Sequence, residues 1–167
     1  MKRRYEMSIH SDNDAAIPDA PPYVGALLRL AWQQVRAEML AAIHGAGFGD
    51  FQEAHFAIFS FPLPAGAKPS ELARQKRMSP QAINYQLVQL EELGYVERRA
   101  AAGSGRRLVY LSPRGLEVAD VIFACLKRLH ADWARQIGPE KFQVFLEVLA
   151  ALPGLKEAAA ERRGAER

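Results

Sequence analysis

The chain has 167 residues, 49% hydrophobic and 25% charged, which is the composition of a globular protein with enough apolar side chains for a real core. No uninterrupted apolar stretch is long enough to span a bilayer, and no apolar run follows the basic start "MKRRYE", so neither a membrane anchor nor a secretory signal is expected. Net charge is +3, and the single cysteine, Cys125, excludes an intramolecular disulfide and fits a reducing, cytoplasmic setting.

In chain order, residues 1–20 are polar, contain "SDND" and lead into "PDAPP", which predicts a flexible extension. Residues 21–48 predict one long helix, because Val24, Leu27, Leu28, Ala31, Val35, Met39 and Ala42 recur at helical spacing. "GAGFGD" breaks it, and Asp50 is placed to cap a second helix, "FQEAHFAIFSF", stopped by Pro62 and Pro64. Pro69 falls in the first turn of a short third helix, where its missing N–H costs nothing. Ser79 followed by Pro80 is the next start signal, a hydroxyl cap and then proline at the first helical position. Ile83, Leu87 and Leu90 give that helix one apolar stripe, and Gly94 ends it.

"YVERR" and "RLVYLS" then alternate as strands, joined by the small "AAAGSG". Ser112–Pro113 starts a long helix with Leu116, Ala119, Ile122, Phe123, Leu126, Leu129 and Trp133 on its apolar face. After "IGPEK" a last helix carries Phe142, Phe145, Leu146, Leu149 and Leu152, before a polar, frayed tail at residues 156–167. The expected fold is mainly α with a small β-hairpin wing: a winged helix-turn-helix at residues 49–112, flanked by long helices at 21–48 and 113–155. These flanking helices carry more apolar surface than one small winged helix can cover, which predicts a homodimer.

Charge is unevenly spread. From Lys68 to Arg114 there are nine bases against four acids, so the rest of the chain is net acidic. A concentrated basic segment is the footprint of a polyanion-binding surface. Within it, the helix after Ser79 has no acid or base from Met78 to Leu90. Opposite its apolar stripe stand Gln81, Tyr85, Val88 and Glu92, flanked by Asn84 and Gln89, where a merely solvated face would carry Lys–Glu pairs. Amides can pair with adenine and apolar groups can touch the thymine methyl, so this helix is suited to reading base edges and the basic hairpin to gripping phosphate. Double-stranded DNA is the partner this division of labour predicts.

"PSELARQKRMSPQAINYQLVQLEELGYVERR…GRRLVYLSPRG" resembles the multiple-antibiotic-resistance regulator (MarR) family of bacterial winged-helix transcription factors. The likeness is carried by Ser70-Glu71-Leu72-Ala73, Ser79, Leu90, Leu93-Gly94-Tyr95-Val96 and Leu111-Ser112…Gly115, and by the helical layout over residues 24–152. The resemblance implies a dimer made by the first and last two helices and a recognition helix in the major groove. Ser79, Pro80, Gln81, Asn84, Tyr85 and Gln89 would contact DNA, with Ser70, Arg77, Ser104, Arg106 and Arg107 in the wing and flanks. It also implies a promoter-occluding repressor released by a small apolar or aromatic effector, in a pocket lined by Trp32, His55, Phe56 and Phe59.

Two positions depart from the family pattern. Family wings commonly carry an Asp before the Arg, whereas "AAAGSGRR" has no acid, so both Arg106 and Arg107 are candidates for the wing tip. Many members have Gly in the turn before the recognition helix, where Arg77 stands here and would be strained at positive φ. A winged-helix protein-interaction module without DNA binding is the rival reading. An enzyme with an added winged helix ranks last, because no Gly-rich phosphate loop, nucleophile elbow or paired carboxylates occur. No cofactor is expected, and His10, His44, His55 and His130 have no metal-ligand spacing. Cys125, in "VIFACLK", reads as a buried structural thiol.

Overall fold

The computed structural model describes residues 22–59, 66–100 and 107–165, with side chains as far as Leu152. The order is α1 (Val24–Gly45), a single 3-10 turn (Glu53–His55) running into α2 (Phe56–Phe59), α3 (Pro69–Lys76), α4 (Pro80–Glu92), β1 (Val96–Ala100), β2 (Arg107–Leu111), α5 (Pro113–Ile137) and α6 (Pro139–Ala165). The strands pair antiparallel, Val96 opposite Leu111 and Ala100 opposite Arg107. Ala67 forms an isolated β-bridge to β2, exchanging both backbone bonds with Val109 at 2.9 Å. This is a winged helix-turn-helix with long flanking helices.

The local signals act as the chemistry dictates. Ser79 Oγ accepts the Ala82 N–H at 3.1 Å, and Pro80 fills the first helical position of α4. Gly94, at φ 76°, closes α4 in a Schellman arrangement: its N–H donates to Glu91 O, and the Tyr95 N–H to Leu90 O. Arg77 closes α3 the same way, donating to Arg74 O while Met78 donates to Ala73 O. Its φ of 52° makes it the one left-handed non-glycine among the described residues.

The winged-helix core is centred on aromatic rings. Tyr95 meets Phe51 edge-to-face at 5.5 Å and Phe59 at 6.1 Å, and Phe51 also meets Phe56 at 5.3 Å. Ile58, Ile83, Leu87, Leu90 and Val109 fill the space around them with no exposed surface. α5 packs against both α1 and α6. These three helices bound an apolar groove of about 370 Å³, with Leu28, Val35, Trp133, Phe142 and Leu146 among its walls.

Three expectations need correction. Asp50 does not cap the second helix. The turn begins at Gln52, whose N–H donates to His55 Nδ1 at 3.1 Å, and Asp50 is engaged elsewhere by Tyr95 and Arg114. That second helix is also shorter than "FQEAHFAIFSF" implied, a 3-10 turn and one α turn. α6 stays helical to Ala165, where a frayed tail was expected. The stops at Pro62 and Pro64 and the hairpin loop lie outside the described residues.

Candidate nucleic-acid interface and ligand cavity

On α4, Ile83, Leu87 and Leu90 are fully buried, while Gln81, Asn84, Tyr85 and Val88 face outward and are exposed. Gln89 is half-buried at the edge of that face, and its Nε2 donates to the Tyr85 hydroxyl at 3.1 Å. The cap residues Ser79 and Pro80 are exposed at the N-terminus, where the first backbone N–H groups of a helix offer partial positive charge. Most of the predicted recognition residues are thus gathered on one helix.

The basic residues divide into two sets. Lys68 pairs with Glu71, Arg98 with Glu91, and Arg99 with Glu97 while lying over the Tyr110 ring at 4.5 Å. Arg77, in the turn before α4, and Arg107, opening β2, are exposed and form no ion pair among the described residues. Ser70 is exposed in the first turn of α3. Ser104 and Arg106 lie outside the described residues.

The end of α4 is bonded tightly to the start of α5. The Ser112 N–H donates to Tyr95 O at 3.1 Å, and Ser112 Oγ–H donates to Gly94 O at 2.5 Å while accepting from the Gly115 N–H at 3.0 Å. Gly115 is required here, because a Cβ would lie 2.0 Å from the Tyr95 carbonyl oxygen. The Tyr95 hydroxyl donates to Asp50 Oδ1 at 2.5 Å, and Arg114 reaches both Asp50 oxygens at 2.8 Å. The Tyr95 hydrogen bond, and next the Arg114 charge, hold the Asp50 carboxyl below its ordinary range. Burial, then the donated hydrogen bond, pushes the Tyr95 phenol up.

A cavity of about 470 Å³ lies where α1, α2, the end of α3, the end of β2 and α5 converge. Of the four residues predicted for a pocket, Trp32, Phe56 and Phe59 line it. His55 does not. It is buried against the Phe51 ring at 5.2 Å, serves the Gln52 N–H, and has its basicity lowered by burial. The sequence pattern gave no sign of Arg36, Lys76, Met78, Phe123 and Leu126 on the cavity walls. Lys76 and Met78 flank Arg77, so the cavity touches the turn of the helix-turn-helix itself. Arg36 is held by Glu53 through its Nε at 3.1 Å, and burial lowers the pKa of Lys76.

Cys125 is buried on α5 and burial raises its thiol pKa, which disfavours the reactive thiolate. Among the described residues there is no cluster of three or more His, Cys, Asp or Glu able to hold a metal, and no helix long and apolar enough to cross a membrane.

The fold defines a winged helix-turn-helix protein with long flanking helices. No family model and no curated protein matches the chain. Solved structures do. The Mycobacterium tuberculosis MarR family protein Rv2887 in complex with salicylic acid is 30% identical at a TM-score of 0.56, over 81% of this chain and 98% of that one. The same protein in complex with p-aminosalicylic acid is 31% identical at 0.54, over 78% and 99%. The crystal structure of MarR, 22% identical at a TM-score of 0.62 over 90% and 98%, shows the shared fold. The chain belongs to the MarR family, a family of transcription regulators and not of enzymes.

Proposed function

We propose that this protein is a dimeric, sequence-specific repressor in the cytoplasm that binds an operator of two related half-sites and leaves it when a small aromatic or apolar ligand fills the cavity. The observation that carries the reading is the exposed face of α4, uncharged from Gln81 to Val88, a set of side chains suited to base edges and poorly suited to plain solvation. In this reading α4 enters the major groove with Gln81, Asn84, Tyr85 and Gln89 toward bases. Ser79, Pro80 and the N-terminus of α4 approach phosphate, as do Ser70 and Arg77. Arg107, with Ser104 and Arg106, reaches the adjacent minor groove.

Residues 21–48 and 113–155 serve as dimerisation helices, with residues 1–20 as an extension. Exposed Leu27, Trp32, Phe123, Val144 and Val148 support self-association, since an apolar surface of this extent needs cover. For the ligand, aromatic walls at Trp32, Phe56, Phe59 and Phe123 with cationic Arg36 and Lys76 suit a small aromatic acid, the chemistry of the salicylic acid bound by Rv2887. Release follows if the ligand favours a conformation in which the two recognition helices no longer match the operator.

The test is a titration of specific and scrambled duplexes at several salt concentrations. Gln81→Ala or Tyr85→Ala should cost about 1–3 kcal/mol and relax preference at one base pair. Arg107→Ala should weaken all duplexes evenly and flatten the slope of log K against log salt by about one unit for each phosphate no longer neutralised. Equal, weak binding of every duplex by the wild type would instead favour the protein-interaction module.

A further inference from the structure

The outward face of α4 opens with Gln81, Asn84, Tyr85 and Val88, one stripe at i, i+3, i+4 and i+7, and ends at Glu92. Tyr85 is 66% exposed and Val88 45%. Valine is a poor choice for an exposed position inside a helix. Its branched Cβ loses rotamer freedom there, and half-exposure returns little by burial. Val88 also makes no part of the buried core beneath, which Ile83, Leu87 and Leu90 complete. Its methyl groups are therefore open to an external apolar surface.

Tyr85 is prepared in a different way. Gln89 Nε2 donates to the phenol oxygen, which leaves the phenolic hydrogen to be donated away from the helix. From Gln81 to Val88 the stripe then offers two amides, one hydroxyl donor and one branched apolar group, and it meets a carboxylate only at Glu92, at the C-terminal end of the helix. Guanine is met most often by Arg or Lys, and cytosine N4 by a carboxylate. The nearest base on this segment, Arg77, precedes the helix in the turn, and the acid Glu92 is the helix's last residue. An A·T pair presents the complement of what the stripe carries: adenine N6 and N7 for an amide, thymine O4 for a hydroxyl donor, and the 5-methyl for Val88.

We propose that α4 reads A·T base pairs in the major groove, and that Val88 is a specificity-determining residue packed on a thymine 5-methyl. This rests on the DNA-reading function proposed above and names the sequence class that function selects.

The experiment has two stages, both with the full chain. Duplexes are first selected from a random library by wild type and by Val88→Ala, a substitution on an exposed helix face. In the best wild-type duplex, each thymidine is then replaced in turn by deoxyuridine, which removes only the methyl. The expected result is a half-site whose α4-contacted pairs are A·T. At least one uracil should weaken wild type about fourfold, the worth of one buried methyl or methylene group, and leave Val88→Ala unaffected at that position. The proposal is overturned if uracil costs wild type nothing anywhere, if both proteins lose equally, or if the selected core is G·C. In those cases sequence-specific binding itself survives. Failure to prefer any duplex would overturn the DNA-reading function along with it.

Discussion

In the winged-helix half, Ile58, Ile83, Leu87, Leu90, Tyr95 and Val109 have no exposed surface, whereas Leu27, Trp32, Phe123, Val144 and Val148 in the long-helix half keep half or more of theirs. Both halves have similar raw material, long or branched apolar side chains at helical spacing. The difference lies in what closes over them. Around Tyr95, three helices, a hairpin and a ring cluster pack inward from several directions. Along α1, α5 and α6, three roughly rod-shaped elements leave one side open. The first region is finished within one chain, and the second stays open, the surface that the proposed dimer would cover.

The sharpest way to break this contrast is at the junction of the halves. Gly115→Ala would drive a methyl into the Tyr95 carbonyl, and backbone cannot yield there as a flexible side chain would. The expected loss is about 3 kcal/mol or more in urea denaturation, at the upper end for overpacking. Next in size is a change confined to the open half. Leu28→Lys, in the wall of the apolar groove, should weaken self-association at least 100-fold, about 2.8 kcal/mol. Sedimentation should then show monomers that still fold cooperatively, and a compact wild-type monomer at micromolar concentration would remove the basis for expecting a dimer.

A smaller effect sharpens the picture of the joint. The Asp50 carboxyl titrates below its ordinary value of 3.8 in the folded state, chiefly because Tyr95 and Arg114 favour the anion. The native protein therefore holds that proton less tightly than the unfolded chain does. Its contribution is present above about pH 3.8 and is lost as pH falls through the lower folded value. Asp50→Asn should cost about 1 kcal/mol at neutral pH, a modest figure because Asp50 and Arg114 are both more than a third exposed, and should flatten the acid limb of the stability curve. An unchanged acid limb would show the bond to be idle. The smallest effect is expected at Cys125→Ser, which should leave DNA binding as indifferent to peroxide as in the wild type. Release of wild type alone by peroxide would make the thiol a sensor.

Much of this was legible from the residues, and the failures share a cause. Ser79–Pro80, Gly94 and Ser112–Pro113 were readable because caps and stops act within a few residues of themselves. The strain at Arg77 was readable for the same reason. Asp50 misled because it resembles a cap, while its real partner, Arg114, is 64 residues away. His55 misled because an aromatic spacing looks alike whether a ring faces a cavity or its own turn. Arg36, Lys76 and Met78 meet in space only once α1, α3 and α5 have packed, and no local pattern announces that. The chemical reason for Gly115 was equally hidden, since the carbonyl it accommodates belongs to Tyr95.

The joint between Gly94–Tyr95 and Ser112–Gly115 also has a mechanical meaning. α5 has 25 residues, so it is a rod about 37 Å long with the C-terminal end of α4 clamped near one tip. The cavity presses on that rod well along its length, at Ile122, Phe123 and Leu126. If the rod pivots at its far end, a tilt of about 5° becomes a sweep of about 3 Å at the clamp, since each residue adds about 1.5 Å of lever. Hydrogen bonds to base edges tolerate only a few tenths of an ångström. In the proposed function such a lever would need no large rearrangement to throw the reading helix out of register; a ligand that wedged the rod slightly would be enough.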